Sequence, residues 1–185
     1  MSERKRQIIL EAIGIIAEEG YSSLSMRAVA RASGLKLGAL QYHFPTWKDL
    51  LQGVADYISH QYFESVAGLS EPEDHLKLAD IVRIILDDEP GDVLNSDRLF
   101  PQLWAMAQVE PIMNDLLGEI YGYYLDIVEK ALIDEDIPTP RVHARVLMVL
   151  LESSSLFLAW DPRAKNIKKS ERELLLAYLD TITSS

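Results

Sequence analysis

Among 185 residues there is no cysteine, so disulfides and thiolate metal sites are excluded. Histidine is scarce. Of His43, His60, His75 and His143, none has a glutamate three positions before it, so the Glu-x-x-His pairs of a carboxylate-bridged metal bundle are missing. The chain also lacks a Gly-x-Ser-x-Gly elbow, a phosphate-cradling glycine loop and a dinucleotide fingerprint, which leaves no catalytic residue to nominate. No apolar run reaches the roughly 18 residues that a membrane span needs. The charged start, MSERKRQIILEAIG, places its apolar residues at helical spacing and has no small-residue cleavage site. These absences predict a cytoplasmic protein that is not an enzyme, with no membrane association and with neither cofactor nor metal.

Positive charge is also short, with a net charge of −11 at pH 7. Its distribution is uneven. Residues 1–52 hold seven basic side chains against five acidic ones, a balance of +2, while the rest of the chain carries −13. A small basic head on an acidic body suits a nucleic-acid partner, because affinity depends on local phosphate contacts rather than on total charge. Hydrophobic residues at 48% and charged residues at 25% are otherwise ordinary for a globular chain able to bury a sizeable core.

What is present is helical periodicity throughout, with no repeat and no low-complexity segment. Residues 25–48, SMRAVARASGLKLGALQYHFPTWK, hold two short helices joined by a tight turn. Ser25 is a good N-cap for Met26, Val29 and Ala30, and Ser33-Gly34 stops that helix. Leu37, Leu40 and Phe44 give the second helix its apolar side, and Pro45 ends it. Ala28, Ala32, Gly34 and Gly38 are expected to crowd the corner where the two helices cross. Arg27, Lys36, Gln41, Tyr42 and Lys48 suit phosphates and base edges. The segment predicts a helix-turn-helix with residues 36–44 as the recognition helix. A basic helix over residues 3–19 precedes it. There Arg4, Lys5 and Arg6 oppose the helix dipole, which points to a phosphate near Arg4.

Fifteen positions in fixed register extend this pattern: Ile8, Ala12, Gly20, Leu24, Arg27, Val29, Ala30, Ala32, Gly34, Leu35, Gly38, Leu40, His43, Phe44 and Leu50. On these the run from Arg4 to Leu51 resembles the N-terminal domain of TetR-type transcriptional repressors. The resemblance implies that Arg27 enters the major groove from the second helix, and that Lys36, Leu37, Ala39 and Tyr42 face it from the third. Gln41 falls where a backbone-touching tyrosine is common in that family. Lys48 stands one residue beyond the usual backbone-contacting lysine, whose place Trp47 takes. His43 and Phe44 match positions that hold the head together.

The remaining periodicity predicts an all-α chain of about nine helices. A DNA-binding domain over residues 1–52 is followed by a helical-bundle body over 53–185 for ligand binding and dimerisation. Its helices are expected at 47–67 with Thr46 as N-cap, 75–88, 96–109 interrupted near Pro101, 111–133, 140–160 and 170–183. Breaks are expected at 68–72, 89–92 and 161–162. Phe100, Trp104, Met106, Met113, Tyr121, Tyr124 and Phe157 concentrate aromatic and sulfur groups in the body. In the resembled family such a set lines a pocket for an apolar or amphipathic small-molecule inducer. Residues 142–160 are apolar on too many faces for a solvent-facing helix. Together with Leu174, Leu175, Tyr178 and Ile182 they predict a homodimer through the two C-terminal helices, with Ser153 and Ser154 allowing close approach. The expected function is operator binding on double-stranded DNA, repressing transcription until an inducer binds. A helical interaction module without DNA binding, or a helical enzyme, are the alternatives.

Overall fold

The structure, a computed structural model, describes residues 1–65, 77–87, 98–158 and 173–181. Among these it contains helices and no strand. They are α1 (Glu3–Glu19), a 3₁₀ turn (Tyr21–Ser23), α2 (Met26–Ala32), α3 (Leu37–His43), α4 (Trp47–Ser65), α5 (Leu78–Asp87), α6 (Leu99–Ala107), α7 (Pro111–Asp134) and α8 (Pro140–Leu158). A further helix, α9, covers residues 173–181. The breaks expected at 68–72, 89–92 and 161–162 lie outside the described residues, as do Ile182 and the side chains of Ser153, Ser154 and Phe157.

Contacts divide the chain into two compact units, Met1–Ser65 with Glu89–Ile120, and Val66–Asp88 with Tyr121–Ser185. In the first unit, the apolar stripe of α1 (Ile8, Ile9, Ala12, Ile13, Ile16) is buried, as are Leu40 and Phe44 and the α4 residues Leu50, Leu51, Val54 and Ile58. α1 packs against α2, α4 and α6, and α2 against α3. In the second unit, Leu78, Ile81 and Val82 of α5 form one buried cluster with Val128, Ala131 and Leu132 of α7, Ala144 and Leu147 of α8, and Leu179 of α9.

Helix ends follow local chemistry. The Ser2 hydroxyl caps α1 by accepting from Lys5 N, and the Ser25 hydroxyl caps α2 by accepting from Ala28 N. α2 ends in a Schellman turn. Leu35 N donates to Ala30 O at 2.8 Å and Gly34 N to Arg31 O at 3.1 Å, with Gly34 at φ 66°. α7 ends the same way, with Ile137 N donating to Leu132 O and Asp136 N to Ile133 O. There the left-handed residue is Asp136, at φ 57°, so the stop carries no glycine signal. Pro111 opens α7, as its spacing predicts.

Two expectations are corrected. α6 runs from Leu99 through Pro101 without interruption, because Pro101 is its third residue. The amides of a first turn have no intrahelical acceptor, so the missing N–H costs nothing there. Nor do Gly34 and Gly38 mark a crowded corner, since a Cβ at either would meet no atom within 4 Å. Gly34 is needed for its backbone angle, and Gly38 lies open.

Candidate nucleic-acid interface

α3 is a seven-residue helix with one buried side. Leu40 is fully buried and Phe44, just past its end, nearly so. Lys36 occupies the N-cap without a side-chain capping bond. Helical spacing then turns Gly38, Ala39, Gln41 and Tyr42 to the opposite side, where all four are exposed; Leu37 and His43 are half-buried between the two sides. Tyr42 is 85% exposed, an unusual position for a large aromatic ring that has only an edge contact with His43, centroid to centroid 5.3 Å. Gly38 lies on this outward side with nothing near it, so the surface of α3 is low just where a groove wall would approach.

Arg27, in the first turn of α2, and Lys48, in the first turn of α4, are exposed. A basic side chain is costly at a helix N-terminus unless it meets an anion there. A closed cap precedes and follows Lys48 at the start of α4. Thr46 N and Thr46 Oγ1 both donate to Asp49 Oδ2, at 2.9 and 2.7 Å, and Asp49 N donates back to Thr46 Oγ1 at 3.1 Å. The hydrogen bond from the Thr46 hydroxyl, then that from its amide, hold the Asp49 carboxyl below its ordinary pKa.

The basic cluster on α1 has intramolecular partners. Arg4 donates to the Gln7 side chain and, at 3.1 Å, to the carbonyl of Ser33, which ties α1 to the turn between α2 and α3. Lys5 Nζ lies 5.3 Å from the centroid of the Phe44 ring. Arg6 pairs with Glu3 at 3.5 Å. Arg4 therefore fixes the turn that sets α3, in addition to any phosphate it meets.

The residues nominated for a small molecule fall into both units. In the first, Met106 and Met113 are fully buried, Phe100 and Trp104 are half-buried and touch edge to face at 6.5 Å, and Phe100 meets Tyr62 at 5.3 Å. In the second, Tyr124 is buried beside Tyr123, and half-buried Tyr121 hydrogen-bonds Glu152 of α8. Burial pushes the Glu152 carboxyl above its usual pKa, against a smaller opposing pull from that bond. An open pocket of about 520 Å³ lies in the first unit, lined by Lys5, Ile9, Phe44, Asp49, Gly53 and Tyr57 among others, and none of the residues nominated for a small molecule lines it.

Several contacts were invisible to periodicity. Glu110, between α6 and α7, accepts hydrogen bonds from the Tyr21 hydroxyl and, at 3.3 Å, from Trp47 Nε1. Gln102 of α6 accepts from Tyr21 N at 3.1 Å. Burial first, then the hydrogen bond to Glu110, raises the Tyr21 pKa to about 12. No sequence signal links residues so far apart. Among the described residues no group of three His, Asp or Glu side chains is placed to hold a metal ion, and no helix is long and apolar enough to cross a membrane.

Comparison with known proteins bears on this surface. Residues 8–54 match the family model described as bacterial regulatory proteins, tetR family. The nicotine-responsive transcriptional repressor HdnoR of Paenarthrobacter nicotinovorans, of helix-turn-helix type, is 25% identical over 97% of this chain and 96% of its own. A Rhodococcus transcriptional regulator superposes with a TM-score of 0.80 at 16% identity, over 97% of this chain and 96% of that one. A regulator from Saccharomonospora viridis in complex with choline gives 0.77 at 21%, over 97% of both. At such identities these two structures establish likeness of fold alone.

Proposed function

The chain belongs to the tetR family of DNA-binding transcriptional regulators, and from that premise we propose that it is a cytoplasmic, homodimeric repressor whose outward α3 face reads a double-stranded operator. The family is one of regulators rather than enzymes, so the enzyme alternative falls away, and so does an interaction module without DNA binding. The observation that carries the reading is the exposed array of Lys36, Gly38, Ala39, Gln41 and Tyr42, backed by buried Leu40. Tyr42 and Ala39 meet base edges and apolar groups in the major groove, with Leu37 at the rim, while Arg27 reaches the same groove from α2. Lys36 faces the groove beside them, and Gln41, Lys48 and Arg4 serve the phosphates. Residues 1–52 act as the DNA-contacting domain and 53–185 as the ligand-binding and dimerising part.

The dimer reading is supported by the second side of α8. Ala144, Leu147 and Met148 are buried, whereas Val142, Val146, Val149 and Leu150 form an exposed apolar stripe on the opposite face. A self-complementary stripe meeting its two-fold mate would cover it and hold two heads at a fixed spacing. Release by a small apolar or amphipathic molecule is supported by the half-buried Phe100–Trp104 pair of α6, and by the relatives named as nicotine-responsive or crystallised with choline. Selection of duplexes from a random pool by the full-length protein, followed by sequencing, tests the function. A two-fold-symmetric motif is the expected outcome, and retention without any sequence preference would overturn operator recognition.

A further inference from the structure

Glu110 joins two helices through its main chain. Its amide donates to Met106 O at 2.8 Å, closing the end of α6, and its carbonyl accepts from Met113 N and Asn114 N at 3.0 and 3.1 Å, opening α7. The residue is therefore fixed by backbone on both sides. A carboxylate at that position would ordinarily favour the amides of α7. Oε1 instead accepts from the Tyr21 hydroxyl in the turn after α1 and from the indole N–H of Trp47, the first residue of α4. The same turn is held by Gln102, which accepts from Tyr21 N and lies 3.4 Å from where a Cβ on Gly20 would sit. The raised Tyr21 pKa keeps that hydroxyl a donor well beyond neutral pH. Two donors converging on one carboxyl oxygen tie the start of α4 and the turn after α1 to the same side chain.

We infer that Glu110 is a positioning residue for DNA binding. Its carboxylate fixes the direction of the first turn of α4, and with it the place of Lys48 beside α3, without touching DNA. The inference rests on the reading that Lys48 and the α3 face meet the operator. Trp47 is the pivot: its ring is half-buried, and Lys48 and the Thr46–Asp49 cap follow from where it is anchored. A side chain that only stabilised the fold would shift the melting point and leave the affinity of the folded protein unchanged. One that sets the position of Lys48 lowers affinity while every phosphate-binding group is still present.

The test measures operator affinity of the full-length protein over a range of salt concentrations. Glu110→Ala is expected to weaken binding about tenfold and to flatten the slope of log affinity against log salt toward that of Lys48→Ala, because a displaced Lys48 no longer meets its phosphate. Glu110→Gln, which returns an acceptor oxygen, should recover most of that loss. Trp47→Phe keeps the apolar ring and removes the donor; it should weaken binding severalfold, and combined with Glu110→Ala should add nothing further. Should Glu110→Ala not fold, Trp47→Phe and Tyr21→Phe carry the comparison, and parent-like affinity in both overturns the inference. So does a folded Glu110→Ala protein that binds like the parent. Lys48→Ala separates the two levels. If it weakens binding and flattens the slope while Glu110→Ala does nothing, the inference alone fails. If Lys48→Ala binds like the parent at every salt concentration, the contact reading fails and takes the inference with it.

Discussion

A Cβ built at Gly53 would come 2.8 Å from Cε1 of Phe44 and 3.4 Å from Cδ1 of Ile9. Phe44 is buried with Lys5 over its ring, so its ring must shift toward the adjoining pocket to admit the methyl. Gly53→Ala therefore sets two effects against each other. Alanine in a helix interior gains about 1 kcal/mol over glycine, and overfilling a packed site costs about 1–3 kcal/mol. Overfilling is expected to win, lowering the stability of the variant by about 1 kcal/mol in denaturant titration; a variant more stable than the parent would show that the head relaxes around the methyl. The sequence marks Gly53 only as a glycine inside a helical pattern, because its neighbours come from α1 and from the end of α3. Ser33 is similar: its hydroxyl is buried without a hydrogen-bond partner while its carbonyl receives Arg4. Composition and spacing show neither fact. Leu40 and Phe44 are the opposite case, since their spacing alone identifies the inner side of α3.

At the scale of the element, the Thr46–Asp49 box at the start of α4 is the best-defined cap in the head. Replacing Thr46 by alanine should cost about 1 kcal/mol. Asp49 adds a dependence on pH whose sign follows from its lowered folded pKa. Its contribution is fully present above the ordinary value of 3.8 and is lost as pH falls through the folded value. The stability difference between the parent and Asp49→Asn should accordingly shrink from neutral pH into acid, and a difference that stays constant would contradict the assignment. This box was legible, as were the caps of α2 and the glycine stop at Gly34, because each is encoded within four or five residues. The continuity of α6 through Pro101 was not, since it depends on whether the proline falls in the first turn or later. The end of α7, expected at 133 and found at Asp134, was legible in its place but not in what holds it. Its left-handed residues are Asp136 and Thr139, and the turn is held by Ile137 entering the core beside Leu132 rather than by glycine. Tyr21, Trp47 and Glu110 were unreadable as a group because a tertiary hydrogen bond leaves no periodicity.

For the whole molecule, the apolar residues of α8 divide between two sides. One side fills the core of its own unit, and the other leaves Val142 60% and Val149 65% exposed. A glutamate at Val149 should leave the monomer folded, because the position is 65% exposed, and should dissociate the proposed dimer at micromolar concentration in sedimentation. Operator affinity should fall with it, since two linked heads bind far more tightly than two separate ones. A Val149→Glu protein that remains dimeric would place the interface elsewhere. The central claim, that the outward side of α3 and the start of α4 meet DNA, is tested most directly by the salt dependence of affinity for the selected operator. The parent should show a steep linear fall of log affinity with log salt, Lys48→Ala a shallower fall that applies to all sequences alike, and Tyr42→Ala an unchanged slope with relaxed preference at particular base pairs. Parent-like affinity, slope and sequence preference in both variants would contradict the account.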